Sequence, residues 1–135
     1  MAEAESPSEG VVRRFFEALN TGELDRIRPL VHPEATWTPM GKTIPGAGVH
    51  TGRKGIVDEF LGPIRGLFVD GDPKNEILTL FSKGEMVLAE THGTGLFRNG
   101  KTYDNRYCWV VEVRDGMILT IREYMDTAYI LTVVD

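Results

Sequence analysis

Five polar side chains in the second half of this sequence are of types that move protons or hold a developing charge: Glu90, His92, Asn105, Tyr107 and Glu123. An imidazole titrates near neutral pH. A carboxyl withdrawn from water is pushed toward neutrality, a neighbouring histidine working against that, and a phenol or amide can donate to an oxyanion. Such chemistry requires the groups to meet, and strand pairing decides whether they do. If Asn99-Gly100 is a two-residue hairpin turn, Arg98 faces Lys101, His92 opposes Tyr107, Glu90 opposes Trp109, and Thr94 opposes Asn105. All six then share one face of a sheet.

The next hairpin is open to two readings. A two-residue turn at Asp115-Gly116 brings Arg122 and Tyr124 to that face, whereas a three-residue turn with Gly116 in a bulge brings Ile121, Glu123 and Met125. The bulged form matches Val113 with Met117, Val111 with Leu119 and Trp109 with Ile121, apolar against apolar, and is preferred; it sets Glu123 beside Tyr107. The resulting face has an apolar wall (Val111, Val113, Leu119, Ile121, Met125) and polar groups at one end, the usual make-up of a small-molecule site. In that site His92 is the candidate proton carrier, Glu123 its partner or the second acid–base group, and Glu90 an orienting carboxylate. Tyr107 and Asn105 would hold a substrate oxygen, with Trp37, Trp109, Phe15 and Met125 against its apolar body. The alternatives are a purely structural hydrogen-bond network, or glutamates that face water.

The elements that must position these groups fall into two halves. Ser6-Pro7-Ser8-Glu9 reads as a capping box opening a helix whose apolar stripe is Val12, Phe15, Phe16 and Leu19. Asn20-Thr21-Gly22 ends it, and a second stripe of Leu24, Ile27 and Val31 is shortened or kinked by Pro29. Ala35 to Thr38 is β-like. The loop Pro39 to Gly52, with Gly41, Gly46 and Gly48, lacks a phosphate-loop sequence and is a flap or a connector. A third helix spans about 53–60 and is interrupted by Gly62-Pro63. Strands then run Ile77–Phe81, Met86–Phe97, Tyr103–Val113 and Met117–Tyr124, the last extending toward Val134. Helices followed by an antiparallel meander imply an α+β fold: a cone-shaped roll with the N-terminal helices packed on a strongly curved antiparallel sheet that leaves a pocket at its open end.

Composition sets bounds on function. With 135 residues, 41% hydrophobic and 26% charged, the chain reads as a single globular domain over 1–135, with 1–6 disordered. A net charge of −5 argues against a nucleic-acid surface, and no apolar run is long enough to span a bilayer. The acidic, polar start is unlike a signal or transit peptide, so the cytoplasm is the default. Cys108, the single cysteine, reads as an inert strand thiol; His32 and His50 read as surface residues, and the three histidines lack metal-ligand spacing. No metal and no cofactor are expected.

Several phrases carry a family resemblance. Val11-Val12-Arg13-Arg14-Phe15-Phe16-Glu17-Ala18-Leu19-Asn20 with Gly22-Glu23-Leu24-Asp25, then His32-Pro33-Glu34-Ala35, Gly100-Lys101-Thr102-Tyr103-Asp104-Asn105, Asp115-Gly116-Met117-Ile118 and Arg122-Glu123-Tyr124-Met125-Asp126, resemble the SnoaL-like, or nuclear transport factor two-like, superfamily over nearly the whole chain. The resemblance implies a cone-shaped pocket and a homodimer packed through the outer sheet face. Ketosteroid isomerases in that superfamily have a tyrosine where Phe15 stands, a base aspartate near Thr38 and an oxyanion-hole aspartic acid near Trp109, and none of the three is present. Limonene epoxide hydrolases place two aspartates and an arginine at positions resembling Glu90, Glu123 and His92, and a tyrosine at Trp37. SnoaL-type polyketide cyclases have a Thr-His segment like Thr91-His92, and an acid–base aspartate near Trp109. The polar groups on the shared face give the leading reading: a cofactor-independent acid–base enzyme (isomerase, dehydratase, cyclase or hydrolase) acting on a small hydrophobic molecule. The rivals are a binding protein using the same pocket and a dimerisation scaffold whose pocket is filled.

Overall fold

In the computed structural model, residues 4–135 are described. Helix α1 spans Pro7–Thr21, with Pro7 in its first turn and the Ser6 hydroxyl accepting from the Glu9 amide at 3.1 Å. The Glu9 carboxylate turns back onto Ser6, as a capping box predicts, and hydrogen bonds from the Ser82 hydroxyl and from Ser6, side chain and backbone, lower its pKa. It accepts from the Ser6 hydroxyl at 3.1 Å and from the Ser82 hydroxyl, tying the helix start to the sheet. The disorder expected for 1–6 falls partly on residues 1–3, outside the described residues; Glu5 pairs with Arg13.

Pro29 shortens the next helix as expected. After α2 (Leu24–Ile27) a 3₁₀ turn covers Arg28–Leu30, and β1 (Val31–Pro39) begins earlier than the sequence suggests. After β2 (His50–Thr51), a π-helical stretch Lys54–Leu61 runs straight into α3 (Gly62–Arg65). The expected break at Gly62-Pro63 is absent. The wider turn lets the Gly62 amide reach Val57 O, five residues back, so Pro63's ring and missing donor do not disrupt a normal ladder.

Strands β3 (Lys74–Lys83), β4 (Met86–Leu96), β5 (Thr102–Arg114) and β6 (Met117–Met125) follow. The sheet order is β2-β1-β6-β5-β4-β3, and all neighbours are antiparallel except β1 and β6, which run parallel. The α+β class holds, but the sheet is mixed. The long path from β1 to β6, with helices in it, satisfies the crossover a parallel pair needs. The last segment is no strand extension: Asp126 caps the short helix α4 (Thr127–Val133) by accepting from the Tyr129 amide at 3.0 Å.

Two registers differ from expectation. The β4–β5 turn has three residues, 98–100: the Phe97 amide bonds Lys101 O, and Gly100 takes the left-handed conformation (φ 90) that closes it. Thr91 therefore opposes Tyr107, Ala89 opposes Trp109 and Gly93 opposes Asn105. A slip of one residue turns every β4 side chain to the other face. The β5–β6 turn has two residues, Asp115 (φ 54) and Gly116 (φ 71), not three. The extra residue instead sits within β6. Val113 opposes Ile118 and Glu112 opposes Thr120, leaving Leu119 unpaired; beyond it Val111 opposes Ile121, Trp109 opposes Glu123 and Tyr107 opposes Met125. Ile121, Glu123 and Met125 do face inward, through a bulge in the strand and not in the turn, with Ile118 in the core in place of Leu119.

The main core joins α1 to the inner sheet face. Phe15 packs edge-on to Trp37 (5.8 Å between ring centres), Phe16 to Trp109 (5.1 Å), and the two indoles to one another (5.7 Å). Each fully buried large apolar side chain contributes about 1.5–3 kcal/mol. A second cluster of Ile44, Phe68, Phe97, Tyr103, Ile130 and Val133 packs across the other end of the sheet.

Candidate functional site

Between the two clusters lies a cavity. Trp37, Phe60, Ile64, Tyr107, Trp109 and Glu123 are among its walls, and Pro45, Phe68, Phe97, Ile130 and Val134 also line it. It leaves about 100 Å³ open to a water-sized sphere, within about 740 Å³ of empty space counted out through its mouth. That is room for a ligand on the scale of one ring. Pro45 belongs to the Gly-rich loop, which is a packed structure: His50 donates to Gly46 O at 2.6 Å and stacks on Phe60 at 4.1 Å. A Cβ at Gly46 would stand 2.5 Å from the Phe60 ring, so the loop can lie this close only with glycine there.

Glu123 is the ionisable group of the inner wall. It is brought inward by the β6 bulge and is 9% exposed. Its one side-chain hydrogen bond comes from the Trp37 indole, Nε1 to Oε1 at 2.9 Å. Burial pushes its pKa up from 4.5 to about 7, and the Trp37 bond only partly opposes this. Near neutral pH the carboxyl is therefore poised to give or take a proton.

Two phenols accompany it. The Tyr103 and Tyr107 hydroxyls bond to one another, and Asn105 Nδ2 donates to Tyr103 at 3.1 Å. Burial raises both phenols, Tyr103 to about 12, so they remain protonated donors. Asn105 is 3% exposed but does not line the cavity. Its amide bonds Asp126 O at 3.2 Å and holds the Tyr103 ring and the β6–α4 joint in place. Behind the wall, Trp109 Nε1 donates to Thr91 Oγ1 at 2.8 Å, and Thr91 donates to Asn75 Oδ1 at 2.9 Å. The indole that faces the cavity is fixed by this chain.

Of the sequence-derived site residues, the cavity gathers Glu123, Trp37, Tyr107, Trp109 and Met125. His92 and Glu90 lie on the opposite face of the sheet, because of the three-residue turn. His92 Nε2 sits 2.5 Å from Asp104, and Glu90 is exposed beside Cys108. Phe15 is wholly buried in the main core, off the cavity. His32 is not a free surface residue: its Nδ1 accepts from the Glu34 amide at 3.0 Å. Cys108 is half-buried on the outer face, where burial and Glu90 disfavour its thiolate.

Sequence reasoning missed Tyr103, Phe68, Phe97, Ile130 and Arg65 as cavity residues. Asp126 ahead of Thr127-Ala128-Tyr129-Ile130 was a legible cap signal for α4. Gly93 was legible too, as a glycine inside a strand: a Cβ there would meet the Tyr107 ring at 2.9 Å. Among the described residues no group of three or more His, Cys, Asp or Glu could hold a metal ion, and no helix is long and apolar enough to cross a membrane.

The pattern of the SnoaL-like domain matches residues 12–121. The chain belongs to the SnoaL-like domain family. Solved SnoaL-like and related structures repeat the fold. Bal32a, from a soil-derived mobile gene cassette, is 27% identical with a TM-score of 0.80, 93% of each chain being covered. TerC, solved with polyporic acid, is 20% identical with a TM-score of 0.82 over 96% of this chain and 98% of its own. An epoxide hydrolase from M. tuberculosis, of the limonene epoxide hydrolase-like kind, is 19% identical with a TM-score of 0.77, covering 93% of this chain and 87% of its own. No curated protein matches the chain.

Proposed function

We propose that this SnoaL-like protein is a cofactor-independent acid–base enzyme acting on a small apolar substrate, with Glu123 as its proton carrier. The observation that carries the reading is a buried carboxyl, held by a single indole hydrogen bond in an open apolar cavity and brought to about pH 7 by burial. With His92 and Glu90 on the outer face, one group both takes the proton and returns it. That favours isomerisation or elimination, in which a single base shuttles a proton, over hydrolysis, which divides the work between two groups. The paired Tyr103 and Tyr107 hydroxyls supply the donor for an enolate-like oxygen. Trp37, Trp109, Phe60 and Met125 grip the apolar body.

The test is a panel of β,γ-unsaturated ketones, β-hydroxy ketones and epoxides, assayed with wild type and Glu123→Gln. Turnover by wild type that drops by about 10²-fold or more in the variant supports the reading. Equal turnover by both proteins rejects it. The second reading, a carrier without chemistry, draws on the ligand in TerC. It would show as intact compound released when purified protein is denatured, with no turnover of it.

The reading includes a homodimer in the cytoplasm, paired through the outer sheet face. There Phe81, Met86, Leu96 and Tyr124 are exposed, with Phe81 at 55%. An exposed apolar face on a sheet suits a second copy.

A further inference from the structure

The cavity holds one permanent charge. Arg65, the last residue of α3, lines it together with the aromatic walls. Its Nη2 bonds Pro73 O at 3.2 Å and Gly71 O at 3.4 Å. Its Nε is buried with no partner, the only such buried side-chain polar atom among the described residues. Buried polar atoms are nearly always satisfied, so this exception marks a guanidinium that the described residues leave incompletely paired.

Among the described residues no carboxylate forms an ion pair with Arg65. Asp72 is the nearest acid acting on it, yet Asp72 is spent on the Leu96 amide at 2.9 Å and the Lys74 ammonium at 3.4 Å and forms no ion pair with Arg65. Glu123 lines the same cavity, but burial and Trp37 alone set its titration. Both side chains line the one cavity. Burial disfavours the charged guanidinium, which nevertheless cannot give up its proton in a protein. Arg65 also lines a second groove with Glu23, Asp70, Asp72 and Arg98, where each acid already has a cationic partner: Arg26 for Glu23, Arg98 for Asp70 and Lys74 for Asp72.

We propose that Arg65 receives the anionic group of the ligand, so that the cavity takes a small apolar carboxylate or a similarly acidic oxygen compound, its acid at Arg65 and its reacting carbon toward Glu123. This rests on the reading of the cavity as the site of action. It names the substrate class which that reading leaves open. Guanidinium–carboxylate hydrogen bonds are short and strong when water is excluded, and they orient a ligand as well as bind it.

The probes are benzoate and phenylacetate against their neutral amides, benzamide and phenylacetamide, titrated by tryptophan fluorescence and calorimetry at about pH 6, where Glu123 is mostly protonated. The acids are expected to bind about tenfold or more tightly than the amides. Arg65→Gln should erase that preference while leaving amide affinity within about twofold, and Arg65→Lys, which keeps the charge, should retain part of it. Amide binding in the variants also shows that they are folded. Equal affinity for acid and amide in wild type, or an acid preference that survives Arg65→Gln, overturns the proposal while the cavity reading stands. Binding of neither class overturns both.

Discussion

Glu123 makes stability depend on pH in a direction opposite to that of most carboxylates. Folded, it keeps its proton up to about pH 7; unfolded, only to about 4.5. Between those values the folded chain binds more protons, so stability is highest below the window and falls as pH rises through it. The full cost is about 3 kcal/mol above the folded pKa. In Glu123→Gln this dependence should vanish. Urea unfolding at about pH 5 and about pH 8 should show wild type losing roughly 2–3 kcal/mol relative to the variant, and parallel curves would refute the assignment. Trp37→Phe keeps the ring and removes the single hydrogen bond to the carboxylate. The carboxyl should then titrate above its wild-type value, read from the infrared band of the protonated acid. Glu123 itself was legible in the sequence, because an acid among Ile121 and Met125 at alternating positions demands an explanation. Arg65 was not, because nothing local distinguishes it from the arginines of the solvated helix faces.

At the scale of elements, two short devices hold the cavity's shape. The Asp126 cap begins α4, which carries Ile130, and Val134 just beyond its end, to the cavity. Asp126→Ala should lower stability by about 1 kcal/mol in thermal unfolding and speed ligand release. Gly93 lets the Tyr107 ring lie against the strand. Gly93→Ala must displace that ring, costing about 1–3 kcal/mol and weakening binding of any cavity ligand in a fluorescence titration; unchanged binding would show that Tyr107 does not shape the site. The helices, the strands and their order followed from periodicity and turn residues. The pairing of β4 did not, for a physical reason. Its residues Val87 and Ala89 face inward while Met86 and Leu88 face outward, so both faces are apolar at one end and the alternation does not choose between them. Turn length decided, and Asn99-Gly100 is compatible with two residues or, as found, with three.

For the molecule as a whole, the outer face is the untested surface. Light scattering should give twice the 15.1 kDa chain mass, and Phe81→Asp should reduce it to one chain without affecting cavity ligands. A single-chain mass for wild type would remove the dimer from the proposal. The odd-length turn at 98–100 has a further consequence for how such a protein changes over time. It leaves β4 carrying a second complete alternation, Met86, Leu88, Glu90, His92 and Thr94, apolar at one end and acid–base at the other, where the set turned inward is Val87, Ala89, Thr91, Gly93 and Gly95. Compensating changes of one residue in the two turns flanking that strand would exchange the sets. The site's chemistry would be rewritten by altering loop lengths, with no side chain replaced, and the strand in that sense stores an alternative to the cavity wall it now forms.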